Sequence, residues 1–425
     1  LLFAAFLVVS ASGLRAGEPS DIHTLLRRLD GLLDRREEFL LRHEARLDSL
    51  KSLLCGDTLG FGARYAVTAE IAERYFAYQS DSTIAYLRRN VALAERAGNA
   101  DLTIRAKSVM AMCYSMNGRF LEADRVLAGA TDTLHMSRAT QAAYYAAQHR
   151  QNRECRSQSE PGAERDRFRA CEEYYARRAL ETTGDISKRF YFAYLVAVDE
   201  GDYDRAAAAC DSALACAPPV SHDYARAAFY RSETERFRGD EAARFEWLVR
   251  AAMADVQGAV RDYGALGGVA EELLRRGDAA RAMRCIRVAI NDTQAYNSPI
   301  RSWRDMAILP QIEQAYSERN ARLRAMYVAL ILLAFLFALS AIGGVLFVLR
   351  QNRRLNAVQQ TLRESNGKLA ELAASLRETN ADLSRQNIRI ADANRIKEVY
   401  IGGFLKTVPT NCAASMPEPT SGATN

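Results

Sequence analysis

Apolar residues between positions 61 and 318 recur at the three-to-four-residue spacing of amphipathic helices, and strand-like alternation is hard to find. Leucines at helical spacing, with charges between them, also fill 25–54 and predict amphipathic helices in an N-terminal segment, 17–60. Residues 151–168 are mostly polar and predict a loop. The pattern therefore predicts an all-α chain.

A turn pattern recurs within this helical region: a glycine, an aromatic or small residue two positions later, and then alanine. The glycines are Gly118, Gly201, Gly239 and Gly277, and the last three are spaced 38 residues apart. Glycine ends a helix in the left-handed conformation, and alanine lets the next helix approach closely. The recurrence resembles the tetratricopeptide repeat and predicts a helical-repeat solenoid over 61–318, with an irregular all-α domain as the alternative.

A run of 24 residues without charge, Met326–Leu349, predicts one transmembrane helix over 326–349. At ~1.5 Å per residue it spans a ~30 Å hydrocarbon core. Three arginines precede the run and five basic residues follow it within twenty positions, a weak bias that favours a cytoplasmic C-terminal side.

The start of the chain favours the same orientation. Residues 1–16, with the apolar run Leu1–Ser10 and no basic segment before it, predict a partial secretory signal peptide cut near Ala16; a buried helix of the mature protein is the alternative. We therefore expect a single-pass protein of the inner membrane with its N-terminal domain in the periplasm.

Beyond the predicted span, an apolar residue recurs every seven positions, at Leu355, Leu362, Leu369, Leu376, Leu383 and Ile390. Three positions before each of these, asparagine predominates, at Asn352, Asn366, Asn380 and Asn387. Leucine at d with asparagine at a is typical of a parallel two-stranded coiled coil whose register the amides fix. The segment 350–398 therefore predicts a homodimer; a single amphipathic helix lying on another surface is the alternative.

The charge distribution and the cysteine content limit the classes of function and the covalent links that we expect. The net charge is +5, and residues 350–425 carry eleven basic and seven acidic residues, so the first 349 residues are nearly neutral and lack a basic nucleic-acid surface. Seven of the eight cysteines precede the span. Disulfides Cys155–Cys171 and Cys210–Cys216 are conceivable, but small core residues between helices are the favoured interpretation.

The sequence shows no catalytic constellation. Phosphate-binding loops, zinc-protease motifs and nucleophile elbows are missing, and all five histidines precede the span. We therefore predict no enzyme activity, no cofactor and no metal site, and interpret His135 and His149 as surface or core residues. The nineteen tyrosines are interpreted mainly as core packing, so the ligand-binding residues stay unassigned.

Three segments carry a resemblance to a known family: LLRRLDGLLDRREEFLLRHEARLDSLK at 25–51, YNSPIRSWRDMAILPQIE at 296–313 and ANRIKEVYIGGFL at 393–405. Together they resemble the membrane-spanning transcriptional regulators of Bacteroidetes that are similar to the starch-utilisation regulator. The resemblance implies a periplasmic repeat domain that senses a glycan-related signal, one membrane helix, a coil, and a cytoplasmic domain ending in a DNA-binding helix-turn-helix.

The family pattern departs at Gly403, where tyrosine is usual, and fails after Leu405. We therefore expect 399–425 to be a truncated or frameshifted start of the output domain, with DNA binding lost. One inserted base near Lys406 would explain the change, because Thr407-Val408 read one base later can encode the Leu-Cys pair that the family places here. A helical continuation in the shifted frame of the downstream DNA is the expected result, and its absence would contradict the hypothesis.

These patterns predict a membrane sensor and transcriptional regulator, in which a periplasmic ligand or protein bound by the repeats acts through the dimeric coil. The alternative is a membrane-anchored scaffold that gathers partner proteins on its repeats. An enzyme is the third and least favoured interpretation.

Overall fold

The computed structural model describes residues 21–56, 59–130, 135–262 and 264–404. Over these ranges the chain forms fifteen helices and no strand: α1 Ile22–Asp34, α2 Arg36–Leu53, α3 Phe61–Phe76, α4 Ser80–Arg96, α5 Ala100–Met116, α6 Phe120–Leu127, α7 Arg138–Gln158, α8 Ala163–Thr182, α9 Ile186–Asp199, α10 Tyr203–Cys216, α11 His222–Arg238, α12 Glu241–Gln257, α13 Leu266–Arg275, α14 Ala279–Tyr296 and α15 Pro299–Phe404. The predicted signal peptide and residues 405–425 of the predicted output-domain segment lie outside the described part, whereas residues 399–404 belong to α15.

The chain divides into two compact units, 1–324 and 325–425. In the first, which we call the repeat domain, most helices pack against the helix that precedes or follows them in the chain. This arrangement of successive helical hairpins is the tetratricopeptide-like fold that the sequence predicts.

A Gly-Asp dipeptide builds three of the repeat turns. Gly201, Gly239 and Gly277 have φ of 74°, 79° and 80°, a conformation that suits glycine because it has no Cβ. The aspartate that follows each glycine caps the next helix; Asp202, for example, accepts a hydrogen bond of 2.9 Å from the backbone N–H of Arg205. One dipeptide thus ends one helix and starts the next.

The N-terminal helices pack against the last repeats. Leu25 and Leu29 of α1 are fully or almost fully buried in one core cluster with Phe245 of α12 and Ile286 of α14. Apolar burial of this kind contributes about 25 cal/mol per Å². The first helix of the domain therefore stabilises its C-terminal end.

Ion pairs reinforce this contact between the two ends of the repeat domain. Arg36 of α2 pairs with Asp292 of α14. The Arg281 Nε lies 2.9 Å from Asp30 Oδ2 of α1. Each pair joins residues more than 250 positions apart, so the helices form a closed arrangement.

The loop predicted at 151–168 is wrong. Helix α7 continues to Gln158 and α8 begins at Ala163, which leaves a short connection. The polar residues stay helical because they pair between the two helices; the Arg156 Nε donates a 2.6 Å hydrogen bond to Glu172 Oε2. The low hydrophobicity of 151–168 therefore indicates polar faces of two helices and not a long loop.

The seven described cysteines are free, so neither conceivable disulfide is formed in the structure. Cys113, Cys210 and Cys285 are buried among apolar side chains. Burial raises the pKa of the Cys210 thiol to about 12, which keeps it protonated and unreactive at neutral pH.

Candidate ligand-binding chamber

The helices of the repeat domain form the lining of a large, partly open chamber of about 1800 Å³. Its lining comes from most of the repeat domain, from His43 of α2 to Glu271 of α13, and includes Ile300 at the start of α15. Pockets for small ligands are usually several hundred Å³ in volume. The chamber is therefore large enough for an oligomeric ligand.

Helix α7 presents cationic side chains to the chamber. Ser137 caps the helix by accepting a hydrogen bond from the Thr140 backbone N–H. One turn apart on the helix, Arg150 and Arg153 both line the chamber. Arg150 remains 19% exposed at its side chain and lies 3.4 Å from Glu154 Oε1.

Two tyrosines from neighbouring repeats hold Arg153 in place. Its Nη1 donates hydrogen bonds to the hydroxyl oxygens of Tyr191 on α9 and Tyr230 on α11, at 3.3 and 3.4 Å. The two rings contact each other with centroids 5.4 Å apart. Both tyrosines belong to the chamber lining and to aromatic contacts between helices, so the core-packing interpretation describes only part of their environment.

A third arginine completes this surface. The guanidinium carbon of Arg226 on α11 lies 5.2 Å from the centroid of the Tyr191 ring. Its Nη2 donates hydrogen bonds to Ser187 Oγ and Asp223 Oδ1 at 3.1 and 2.6 Å. We call Arg150, Arg153, Arg226, Tyr191 and Tyr230 the arginine wall.

The charges of Arg150 and Arg153 act on the pKa of both tyrosines of the arginine wall. Burial raises the pKa of Tyr230, but the charges of Arg153 and Arg150 outweigh it and hold that pKa below its ordinary value. For Tyr191, burial together with the neighbouring tyrosine prevails and raises the pKa to about 12. The two hydroxyls lie at nearly equal distances from Arg153, 3.3 and 3.4 Å, so both tyrosines contact the same guanidinium group.

His149 lies on α7 beside the arginine wall and is 1% exposed. Burial, followed by the charges of Arg153, Arg150 and Arg156, holds its pKa well below the usual value, so the ring is neutral. Its Nε2 has no hydrogen-bond partner among the described residues and lies 3.8 Å from Glu172 Oε1. A buried polar atom of this kind is costly unless something pairs with it.

The start of α15 is anchored beside the chamber. Ser298 Oγ donates a 2.9 Å hydrogen bond to the Met116 carbonyl oxygen at the end of α5. Ile312 of α15 is fully buried in the core cluster that contains α1. Gly118, with φ of 75°, lies so close to Ile300 that a Cβ there would be 2.7 Å from its Cγ2. We call residues 297–312 the junction.

The residues that the sequence predicts for the seam lie elsewhere, in the second unit. Leu355, Leu362, Leu369, Leu376, Leu383 and Ile390 are each 50–61% exposed. The paired positions Asn352, Asn366, Asn380 and Asn387 are exposed as well. The single chain therefore leaves the predicted seam uncovered, and the dimer stays a prediction.

Within the described residues, one helix, α15, is long and apolar enough to cross a membrane by length and composition. Its most apolar window has a mean hydropathy of 2.7, and none of that window is buried. A buried core helix of a soluble protein would pack this surface against other helices. The predicted span 326–349 therefore fits a membrane helix.

The comparison with family models gives a match to the SusR N-terminal TPR domain over residues 33–306. The matched range begins at the end of α1, includes the arginine wall and ends within α15. No curated protein matches the chain.

Proposed function

The chain belongs to the SusR N-terminal TPR domain family, and on that premise we propose that it is a membrane sensor and transcriptional regulator that relays a periplasmic, glycan-related signal. The ligand binds in the chamber. The change passes through the junction and the membrane helix to the coil 350–398, and from there to a cytoplasmic output domain.

One observation carries this proposal: the junction forms part of the chamber wall and is also the beginning of α15. A ligand can shift a conformational equilibrium only by its difference in affinity for the two states. Because Ile300 lines the chamber and Ser298 holds the junction to α5, ligand contacts favour one position of these residues over another.

The coil supplies the dimer that such a relay requires. Its exposed leucines cover each other in a parallel pair, and the asparagines at a fix the register at some cost in stability. A weakly stable coil suits a segment that changes between two arrangements. The charge bias around the span supports a cytoplasmic position for the coil.

Hydrogen–deuterium exchange of the full chain in lipid nanodiscs tests the proposal. We expect at least one member of a panel of oligosaccharides to change exchange both at the chamber and in the junction. Ser298→Ala removes the hydrogen bond to Met116 and is expected to reduce the change in the junction without abolishing ligand binding. Ser317→Ala, which removes an exposed hydroxyl farther along α15, is the matched control.

The second candidate is the membrane-anchored scaffold, which the size of the chamber favours because an extended segment of a partner protein also fits about 1800 Å³. A scaffold requires no coupling to the junction. Capture of a partner peptide in the chamber, with unchanged exchange at 297–312 for every ligand tested, would support the scaffold and contradict the sensor.

A further inference from the structure

The arginine wall combines three cations with the buried ring of Tyr230 and the partly buried ring of Tyr191 in the chamber lining. Arg150 and Arg226 line the chamber and retain 19% and 25% of their side-chain exposure, so a ligand in the chamber can contact them. Arg153 is held between two tyrosine hydroxyls. The wall is thus fixed in place before any ligand arrives.

Carboxylates neutralise only part of this positive charge. Arg150 is paired with Glu154 and Arg226 with Asp223, whereas the hydrogen bonds of Arg153 go to neutral hydroxyl groups. The nearby Glu172 is engaged by Arg156 at 2.6 Å. The three arginines of the wall thus have two directly paired carboxylates, Glu154 and Asp223, and the arginine charges lower the pKa of Tyr230.

A second observation points to a missing polar group at the same place. The buried Nε2 of His149 lacks a hydrogen-bond partner among the described residues. The imidazole stacks edge-to-face with Tyr191, at a centroid distance of 6.1 Å, so it lies next to the arginine wall. A hydroxyl-bearing ligand at the wall supplies the donor or acceptor that this nitrogen lacks.

Resting on the proposed function, we propose that the arginine wall binds the carboxylate or sulfate group of an acidic saccharide. The planar guanidinium group donates paired hydrogen bonds to oxyanions, and the forks of Arg150 and Arg226 are the accessible donors. Tyrosine rings offer an apolar face with a polar edge, which suits a sugar ring. His149 and the tyrosine hydroxyls pair with the sugar hydroxyls.

Isothermal titration calorimetry of the full chain in nanodiscs tests this assignment. The probes are an oligogalacturonide, a sulfated disaccharide, a neutral oligosaccharide of equal length, and inorganic sulfate. We expect one of the two acidic saccharides to bind at least roughly tenfold more tightly than the neutral saccharide and inorganic sulfate, because charge-assisted paired hydrogen bonds are among the strongest. Which acidic probe binds identifies the carboxylate or the sulfate as the ligand group.

Arg226→Gln is the decisive variant and is expected to weaken this binding by roughly tenfold, the loss of one charge-assisted contact. Arg238→Gln is the matched control. Arg238 lies on the same helix but does not line the chamber, and it pairs at 3.3 Å with Glu235, a carboxylate three residues earlier, as Arg226 does with Asp223. The control is expected to bind within about twofold of the parent chain, since surface changes away from a contact have small effects.

Arg226→Lys distinguishes loss of a ligand contact from a folding defect, because lysine retains the positive charge but cannot donate the paired hydrogen bonds. Its affinity is expected to lie between that of the parent chain and that of Arg226→Gln. Equal affinity for acidic and neutral saccharides, equal affinity for inorganic sulfate, or an equal loss in both glutamine variants would each overturn the proposal. If a neutral saccharide binds in preference to the acidic ones and alters exchange in the junction, the proposal that the ligand is acidic is overturned, whereas the proposed sensor function stands.

Discussion

The repeat domain and the second unit are both helical, but their apolar side chains have opposite environments. In the repeat domain, Phe245 is 1% exposed and belongs to a core that joins the first helix to the last repeats. In the second unit, Phe337 is 78% exposed, and each leucine of the predicted seam is at least half exposed. A helix whose apolar surface its own chain leaves uncovered requires another apolar environment, which is the membrane for 326–349 and a second copy for 350–398 in our proposal.

The largest expected effect comes from the same substitution in the two regions. Phe245→Ala leaves a cavity in the core and is expected to lower the free energy of unfolding of the repeat domain by about 3–5 kcal/mol. Phe337→Ala is expected to change it by less than about 0.5 kcal/mol. Denaturant unfolding of the full chain in nanodiscs, followed by the fluorescence of its two tryptophans, measures both. Equal losses would show that the two units are not energetically distinct.

The repeat turns provide a second matched pair. Gly118→Ala and Gly201→Ala place alanine at nearly the same positive φ, 75° and 74°, which costs about 1–2 kcal/mol in each case. At Gly118 the new Cβ would also clash with Ile300 of the junction. At Gly201 the new Cβ would have no neighbouring atom within 4 Å. Overpacking adds about 1–3 kcal/mol.

Denaturant unfolding is therefore expected to show a larger loss for Gly118→Ala than for Gly201→Ala. Faster hydrogen exchange at 297–312 is expected for the first variant alone. Equal losses, or unchanged exchange in the junction, would mean that the turn at Gly118 does not hold α15.

The ion pair that closes the repeat domain gives a smaller, pH-dependent effect. Burial raises the pKa of Asp292 to about 6, although Arg36 and Arg261 act to lower it. The folded state therefore binds a proton more tightly than the unfolded state, whose aspartate has a pKa near ~3.9. Stability from this group is present below about pH 4 and is lost as pH rises to about 6, by up to ~2 kcal/mol.

Asp292→Asn removes the titration, so the stability of the parent chain minus that of the variant is expected to decrease between pH 4 and 6.5. Unfolding measured at four pH values across this window provides the test. A difference that increases with pH would mean that Arg36 and Arg261 outweigh burial and depress the pKa instead.

Local patterns were sufficient to predict the repeat fold and its turns. The Gly-Asp dipeptides specify both the end of one helix and the cap of the next, and these interactions involve residues close in sequence. The apolar run of α15 is likewise a property of composition alone. Sequence reasoning succeeded where neighbouring residues determine the conformation.

The closure and the chamber depend on contacts that sequence spacing does not reveal. Arg36 meets Asp292 across 256 positions, and no periodicity links these two residues. The polar stretch 151–168 was predicted as a loop, yet it contains Arg153 of the arginine wall on a continuous helix. Arginines at helical spacing near tyrosines were the available sign, but the polarity of this stretch indicated a loop instead.

Disulfide trapping at the predicted seam tests the central claim most directly, since the relay requires two copies joined through 350–398. Leu369→Cys places a thiol at a d position, and Glu371→Cys places one two residues later on the outer face of the predicted coil. With a mild oxidant added to isolated membranes, we expect covalent dimers for Leu369→Cys well above the background of the parent chain, and none above background for Glu371→Cys. Equal yields at the two positions would contradict the account.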